Sequence, residues 1–264
     1  MPGAEVRTVR AGVLAAGRGD RLRHRTHTLK PLVPVAGRTL VEHVLWSLAE
    51  TAPAEVVVIV NEASLAVRDH VMKARQWPFA LRWIVETTPS SMHSFLRVVE
   101  TLAGDGAAGP FLISTVDTIA APGAFAAFAS ASRELEADLT LAVTAQTDDE
   151  KPLLVELAED GVRVKAIGDA VQRTPDTRPG ERVDGISDRV WATAGYYAVR
   201  PSVLQEADEA RRRGVGALRA FFGRLLARGY RLDAVPVAGG VDVDRPADIR
   251  AAEAFLKEAA ASCG

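Results

Sequence analysis

The chain has 264 residues, enough to bury a substantial core as one large α/β domain or two small ones, with no need of a metal or disulfide staple. Apolar residues make up 48% and charged residues 25%, the balance of an ordinary folded chain, which excludes the disordered and fibrous classes. Lys plus Arg number 32 against 34 Asp plus Glu, so the net charge of −2 offers no general field for nucleic acid or anionic lipid and any anion site must be local, while the lone Cys263 excludes a disulfide framework and a cysteine metal cluster.

Met1 to Arg10 lacks the apolar core of a signal peptide, and the apolar run Val56 to Val60 is far too short to span a bilayer. No membrane partner and a cytoplasmic location are therefore expected. The first expected strand, Val9 to Ala15, runs into Ala16, Gly17, Arg18, Gly19, Asp20, Arg21 and Leu22, then His24, Arg25, His27 and Lys30-Pro31-Leu32. Gly17 and Gly19 allow backbone N–H groups to approach a triphosphate. Arg21 offers a planar fork for two phosphate oxygens, and Lys30 a compact point charge. The loop also follows the carboxyl end of a strand, where ligands of open α/β sheets bind. It lacks the Gly-Lys-Ser/Thr of a P-loop, and Leu22 and Asn61 stand where a dinucleotide fingerprint needs a glycine and an acid. A metal at His24 and His27 is opposed by the charges of Arg23, Arg25 and Lys30.

Next, Leu40, Val41, Val44, Leu45, Leu48 and Ala49 fall at helical spacing, and Thr39 with Glu42 forms a capping box. Strands at Val56 to Val60, Leu81 to Val85, Phe111 to Ser114 and Leu139 to Thr144 alternate with helices at Glu62 to Ala74, Met92 to Leu102 and Pro122 to Arg133. That alternation predicts βαβ units with right-handed crossovers, hence a Rossmann-like three-layer α/β/α fold with a mostly parallel central sheet. The strand Phe111 to Ile113 continues through Ser114, Thr115 and Val116 to Asp117, on the same rim as the glycine loop. A carboxylate there suits a hard cation such as Mg²⁺, or serves simply as a turn residue.

From Gln146 the texture changes. Pro152 to Leu157 and Val162 to Ile167 read as a hairpin around Asp160-Gly161, part of a small β-rich acceptor-side region. The polar stretch 170–190, with Pro175, Pro179, Gly180 and Gly185, is a long loop, functional or disordered. A strand at Ala192 to Val199, helices at Pro201 to Arg213 and Gly216 to Arg228, a strand at Arg231 to Val237 and a helix at Pro246 to Ala260 follow. Asp244, before Arg245-Pro246, fits a helix N-cap, and Asp248 suits the dipole of the first turn. Nothing repeats and no linker divides the chain. A single domain over 1–264 is expected, with a nucleotide-binding half at 9–145 and an acceptor-side half at 146–264.

Leu14-Ala15-Ala16-Gly17-Arg18-Gly19-Asp20-Arg21-Leu22 together with Lys30-Pro31-Leu32-Val33-Pro34-Val35-Ala36-Gly37 closely resembles the sugar-phosphate nucleotidyltransferase (NDP-sugar pyrophosphorylase) family. The resemblance implies that the loop from Leu14 to Asp20 wraps the triphosphate, that Arg21 holds phosphates and assists the departure of pyrophosphate, and that Lys30 neutralises charge at the reacting phosphate. It puts Asp242, in Gly239-Gly240-Val241-Asp242-Val243-Asp244, beside Asp117 as a metal ligand. Base and acceptor contacts fall at Ser90 and Ser91, although a helix cap accounts for these serines equally well. Gly195 and Tyr196, in Ala194-Gly195-Tyr196-Tyr197, resemble the family's acceptor-side strand.

The chain departs from the family in several places, among them the absence of the glycine-rich segment that many sugar-specific relatives carry around Ser90 and Ser91. Asp20 stands where many relatives carry Thr or Ser. Ser114 to Asp117 differs from the usual Asn/Gly-Gly-Asp, and Gly168-Asp169-Ala170 replaces the Glu-Lys-Pro whose lysine holds the acceptor phosphate. Lys165 or an arginine of the long loop, Arg173, Arg178 or Arg182, is the expected substitute.

The implied activity is a Mg²⁺-dependent transfer of a nucleoside monophosphate from a nucleoside triphosphate to a small phosphorylated acceptor, a sugar 1-phosphate or a similar phosphate or phosphonate. The acceptor oxygen attacks in line and pyrophosphate leaves. A nucleotide-binding regulator without turnover and a glycosyltransferase using nucleotide sugars are the alternatives, the latter disfavoured because Thr115-Val116-Asp117 is not Asp-x-Asp. No nucleic-acid partner is expected, and the reading admits a homo-oligomer.

Overall fold

Val, Ile and Leu crowd the short strands of this chain, as suits strands of a parallel sheet covered on both faces. The computed structural model describes residues 9–17, 19, 22, 28–74, 76–104, 106–145, 152–171 and 189–262. In chain order its first half contains β1 (Arg10–Ala15), β2 (Pro34–Val35), β3 (Arg38–Thr39), α1 (Leu40–Ala49), β4 (Glu55–Val60), α2 (Leu65–Ala74), β5 (Ala80–Val85), α3 (Ser91–Ala103), β6 (Phe111–Thr115), β7 (Thr118–Ala120), α4 (Ala124–Arg133) and β8 (Leu139–Thr144). The second half adds β9 (Leu154–Leu157), β10 (Val164–Ile167), β11 (Val190–Val199), α5 (Ala207–Arg212), α6 (Leu218–Ala227), β12 (Leu232–Pro236), β13 (Gly240–Asp242) and α7 (Pro246–Ser262).

Strands β5, β4, β1 and β6 pair in parallel in that order, and β12 is parallel to β8. Strand β11 runs the other way: it is antiparallel to β8, to β9 near its start and to β6 near its end. The nine-stranded sheet is completed by the β9–β10 hairpin, the β-rich region expected around Asp160-Gly161. Alternation along β4 divides the core. Val57 and Ile59 pack with α3 and α6, whereas Val56, Val58 and Val60 pack with α1, α2 and α4. These are the three expected layers.

Some boundaries moved for local reasons. The expected helices at 62–74 and 201–213 begin as 3-10 turns, Glu62–Ser64 and Pro201–Glu206, before becoming α-helical. The helix expected from Gly216 starts at Leu218, because the Gly216 carbonyl instead accepts a hydrogen bond from the Met92 N–H at 3.1 Å. The capping box of α1 is formed as read, with the Thr39 N–H bonded to Glu42 at 2.9 Å.

Two small pairings escape the sequence patterns, β2 with β3 and β7 with β13. They frame a third core of Leu22, Val33, Val35, Leu40, Ile119, Val243 and Ala252, the last from α7. This core fixes the site. Val33 lies three residues after Lys30, Ile119 two after Asp117, and Val243 one before Asp244. No helix among the described residues is long and apolar enough to cross a membrane.

Candidate active site

Parallel strands end on a common rim, and the segments leaving β1, β4, β5 and β6 open into a cleft of about 1040 Å³. Leu14, Ala16, Gly17, Gly19, Ser90, Ser91 and Asp117 line it, so much of the expected nucleotide-binding set converges. Ala15 is the buried last residue of β1. Arg21, Asp20 and the loop arginines Arg173, Arg178 and Arg182 lie outside the described residues.

Lys30 opens a short 3-10 turn with Pro31 behind it and is only 9% exposed. Gly19 has a φ of +60°, and a Cβ there would stand 2.5 Å from the Cβ of Lys30, so a side chain at this position would collide with the lysine stem. The Lys30 Nζ donates to Asp117 Oδ2 at 2.6 Å and also to Asp244 Oδ1. Backbone bonds hold these partners in register. Val116 N–H reaches the Leu14 carbonyl at 3.2 Å, and Val243 N–H reaches the Asp117 carbonyl at 3.0 Å.

Burial alone would drive the Lys30 ammonium toward neutrality, but Asp117 and Asp244 outweigh it and hold the amine above the ordinary lysine range. Burial would likewise raise the Asp117 carboxyl. The adjacent ammonium, with a further hydrogen bond from Thr115, pulls it below the usual carboxylate range instead. The cluster is thus a cation held between two carboxylates.

The two late aspartates have different partners in the structure. Asp244 does not cap α7: its carboxylate is drawn to Lys30, and Asp248 instead accepts the N–H groups of Asp244 at 3.0 Å and Arg245 at 2.7 Å. Asp244 lines the cleft, whereas Asp242, absent from its lining residues, ends β13 opposite Thr118 and accepts that residue's hydroxyl at 3.1 Å. The Thr118 hydroxyl in turn meets Thr115 at 3.0 Å.

Gly195 explains why this network closes. It sits at the irregular stretch of β11 between Thr193 and Tyr197 with a φ of +80°, and a Cβ would lie 2.0 Å from the Thr118 hydroxyl and 3.2 Å from Asp242. Gly195→Ala is expected to cost about 2–4 kcal/mol from the strained backbone and the displaced hydroxyl together. Urea unfolding of the variant checks this, and an unchanged midpoint would remove the close-approach role.

The irregularity also decides which core each tyrosine enters. Tyr196 stacks on Phe125 at 4.3 Å and meets Phe128 edge-on at 5.1 Å, 1% exposed, on the α4 side of the sheet. It does not line the cleft. Tyr197 turns to the opposite core, against Phe222 at 5.0 Å. Burial and then the Asp242 and Asp117 carboxylates raise its phenol, while a bond with Thr193 and the charge of Arg219 pull it back. Its hydroxyl therefore stands in the field of both acids. The period-two alternation of a strand says that one of two adjacent tyrosines must turn away, but not which.

Lys165 is another departure. It is 65% exposed and bonds across the hairpin to Glu156 at 2.6 Å, and it is not among the cleft-lining residues. Ser91 accepts the Leu218 N–H at 3.0 Å and so ties α3 to α6, while Ser90 bonds to His93 Nδ1 at 2.8 Å. Asn61, noted in the sequence only as not being an acid, donates to the Ala16 carbonyl at 2.9 Å and leaves a buried Oδ1 without a partner among the described residues. An unsatisfied buried acceptor at a cleft wall is a ready partner for a donor on a ligand.

Residues 11–217 match the family model described as a MobA-like NTP transferase domain. CMP-5'-(3-aminopropyl)phosphonate synthase of Streptomyces rubellomurinus is 32% identical over 91% of this chain and 35% of its own length. The bifunctional protein GlmU of Enterococcus faecalis is 31% identical over 40% of the chain and 21% of its own length. The chain thus spans about a third or less of these curated relatives. In fold it is similar to the inositol-1-phosphate CTP transferase from T. maritima, with a TM-score of 0.72 and 19% identity over 96% of this chain and 97% of that one. The match over most of its length shows that the chain belongs to the family of MobA-like NTP transferase domains.

Proposed function

We propose that this chain transfers a nucleoside monophosphate from a nucleoside triphosphate, CTP foremost, to a small acceptor bearing a phosphate or phosphonate group. The observation that carries the reading is the Lys30 ammonium held between Asp117 and Asp244 at the head of a cleft walled by Gly17 and Gly19. Support for CTP and for a phosphonate-like acceptor comes from the Streptomyces relative, whose name records a CMP-phosphonate product and which aligns with 91% of this chain. The departure from Glu-Lys-Pro after β10 agrees with an acceptor other than a common sugar 1-phosphate.

Mg²⁺ fits the donor set. It takes one or two protein carboxylates and fills its remaining positions with phosphate oxygens and water, and two carboxylates already share one cation here. Asp117 and Asp244 are the residues that would hold it, in place of the pair Asp117 and Asp242 implied by the resemblance. Bound there, it would neutralise charge on the triphosphate.

In the proposed reaction an acceptor oxygen forms a bond to the α-phosphorus while the bond to the β-phosphate oxygen breaks, and pyrophosphate leaves with that electron pair. Lys30 donates to the phosphate oxygens as charge gathers on them. Arg21 is proposed to stabilise the departing pyrophosphate, and the N–H groups from Leu14 to Asp20 to cradle the chain of phosphates. Catalysis of this kind rests on positioning and electrostatics, with no covalent nucleophile on the protein. A cytoplasmic setting, where triphosphates are abundant, is part of the proposal.

The test is pyrophosphate release with CTP, UTP, GTP and ATP in turn against 3-aminopropylphosphonate, phosphocholine, polyol phosphates and sugar 1-phosphates, with and without Mg²⁺. Metal-dependent release with CTP and a phosphonate or non-sugar phosphate is the expected result. Silence across the panel, or transfer from nucleotide sugars without pyrophosphate formation, would sink the reading.

A further inference from the structure

The wall of the cleft is divided by charge. Lys30, Asp117 and Asp244 stand at one end, whereas the segments that leave β4 and β5 and enter α3 line it with Asn61, Ser64, Thr87, Thr88, Ser90 and Ser94 and with no charged side chain. A triphosphate and its metal belong at the charged end, and the uncharged base of the nucleotide at the other. Neighbouring strands lie about 4.8 Å apart, so Asn61 beyond β4 is roughly 10 Å from Asp117 beyond β6, within the reach of a nucleoside.

Asn61 is 7% exposed, and its Nδ2 donates to the Ala16 carbonyl at 2.9 Å. A carbonyl only accepts, so the amide is fixed in this sense: turned over, it would set oxygen against oxygen. The parallel register that sets Val60 beside Ala15 brings Asn61 beside Ala16, and the Ser64 N–H holds the Asn61 carbonyl at 2.9 Å. Oδ1 is therefore a rigid acceptor. Of the buried polar side-chain atoms without a partner among the described residues, it alone belongs to a residue of the cleft wall. The hydroxyls around it are of another kind: Thr88 is bonded to Ser94 at 2.6 Å, Ser90 to His93 and Ser91 to the Leu218 N–H. A hydroxyl turns to donate or to accept and so separates one base from another weakly, whereas a fixed, unpaired acceptor demands a donor.

We propose that Asn61 reads the base: its Oδ1 accepts a hydrogen bond from the exocyclic 4-amino group of cytosine, and this contact separates CTP from UTP. This rests on the nucleotidyl-transfer reading of the cleft with CTP as the donor and adds to it the residue that selects the base. Uracil carries a carbonyl oxygen where cytosine carries the amine, so it would set one acceptor against another with no proton between them. Because the same amide holds the Ala16 carbonyl, the residue that reads the base also anchors the start of the glycine loop.

Titration calorimetry on the full chain, with Mg²⁺ and no acceptor, compares the non-reacting α,β-methylene analogue of CTP with its UTP counterpart and with a counterpart built on pyrimidin-2-one, which has hydrogen in place of the amine. Wild type should bind the CTP analogue more tightly than either by on the order of 10–100-fold. Asn61→Leu should bind the CTP analogue and the pyrimidin-2-one within about threefold of each other, and Asn61→Asp, which keeps an oxygen in that place, should retain the preference for the amine. Equal binding of the CTP analogue and the pyrimidin-2-one by wild type would overturn the assignment, and because that comparison needs no substitution, a poorly folded variant leaves the test intact. An amine preference of wild-type size in Asn61→Leu would overturn it too, since any loss would then fall equally on all three ligands and Asn61 would only support the glycine loop. Calorimetry reads binding alone, so the two proposals fail separately. Amine-dependent binding without pyrophosphate release defeats only the transfer reading, and pyrophosphate release from CTP with an unaltered KM for the pyrimidin-2-one triphosphate defeats only the role of Asn61.

Discussion

Lys30→Ala is expected to lower kcat by on the order of 10²–10³ under saturating substrates and Mg²⁺. The amine is buried, already ionised and held at 2.6 Å from Asp117, so it meets developing charge on the phosphates without reorganising. The substitution also changes how the site responds to pH. In wild type the Asp117 carboxyl is depressed, so its contribution to stability is present above the ordinary carboxylate range and is lost as pH falls through the lower folded value. Lys30 is shifted the other way: its contribution is complete below its unfolded value of about 10.4 and is lost as pH rises through the higher folded one. The pair therefore contributes evenly across neutral pH. Without the ammonium, the buried Asp117 loses the charge that holds its carboxyl down and burial favours its protonated form, so metal-free Lys30→Ala should lose stability as pH rises from 5 to 8 while wild type does not. Pyrophosphate release and thermal melts in chelator at the two pH values check both halves. A kcat within tenfold of wild type would remove Lys30 from the chemistry.

The parts of this molecule that depend on local pattern were legible in the sequence. Strands β4, β5, β6 and β8 lie where short apolar runs put them, and α1 begins at Thr39 because its capping box is written in residues three apart. Lys30 and Asp117 could be read because each follows from chain order: a cation soon after a glycine loop, and a carboxylate at the end of a strand. What stayed hidden depends on pairings between distant segments. Asp242 and Asp244 are two residues apart in an extended segment, so spacing cannot separate them; the pairing of β13 with β7 does, by setting Asp242 opposite Thr118 and bringing Val243 to the Asp117 carbonyl. Asp244 resembled a cap because it precedes Arg245-Pro246, but Asp248 satisfies the same N–H groups from inside the helix. Which core Tyr196 and Tyr197 each enter follows from the irregularity at Gly195, and Lys165, at the register irregularity between Val164 and Ala166, bonds to Glu156 outside the cleft. Asn61 carries no motif at all, since its place comes from the parallel pairing of β1 and β4, which brings it to the Ala16 carbonyl.

Asp244→Asn should lower kcat by on the order of 10²–10³, whereas Asp242→Asn should keep kcat within about tenfold of wild type. The two substitutions are the same in size and charge and fall two residues apart, so the difference isolates which carboxylate works in the cleft. Asparagine at 242 still presents a carbonyl oxygen to the Thr118 hydroxyl, which leaves the contact under Gly195 in place. Asparagine at 244 keeps the shape but removes one of the two negative charges around Lys30, and with it half of the proposed Mg²⁺ donor set. Metal affinity supplies a readout independent of turnover. Mn²⁺ binding followed by electron paramagnetic resonance in the presence of the CTP analogue should weaken at least tenfold for Asp244→Asn and by no more than a few-fold for Asp242→Asn. The opposite order of the two variants would restore Asp242 as the ligand beside Asp117. It would make Asp244 a structural partner of Lys30, and the metal would then have to reach Asp242 through the Thr115–Thr118 network.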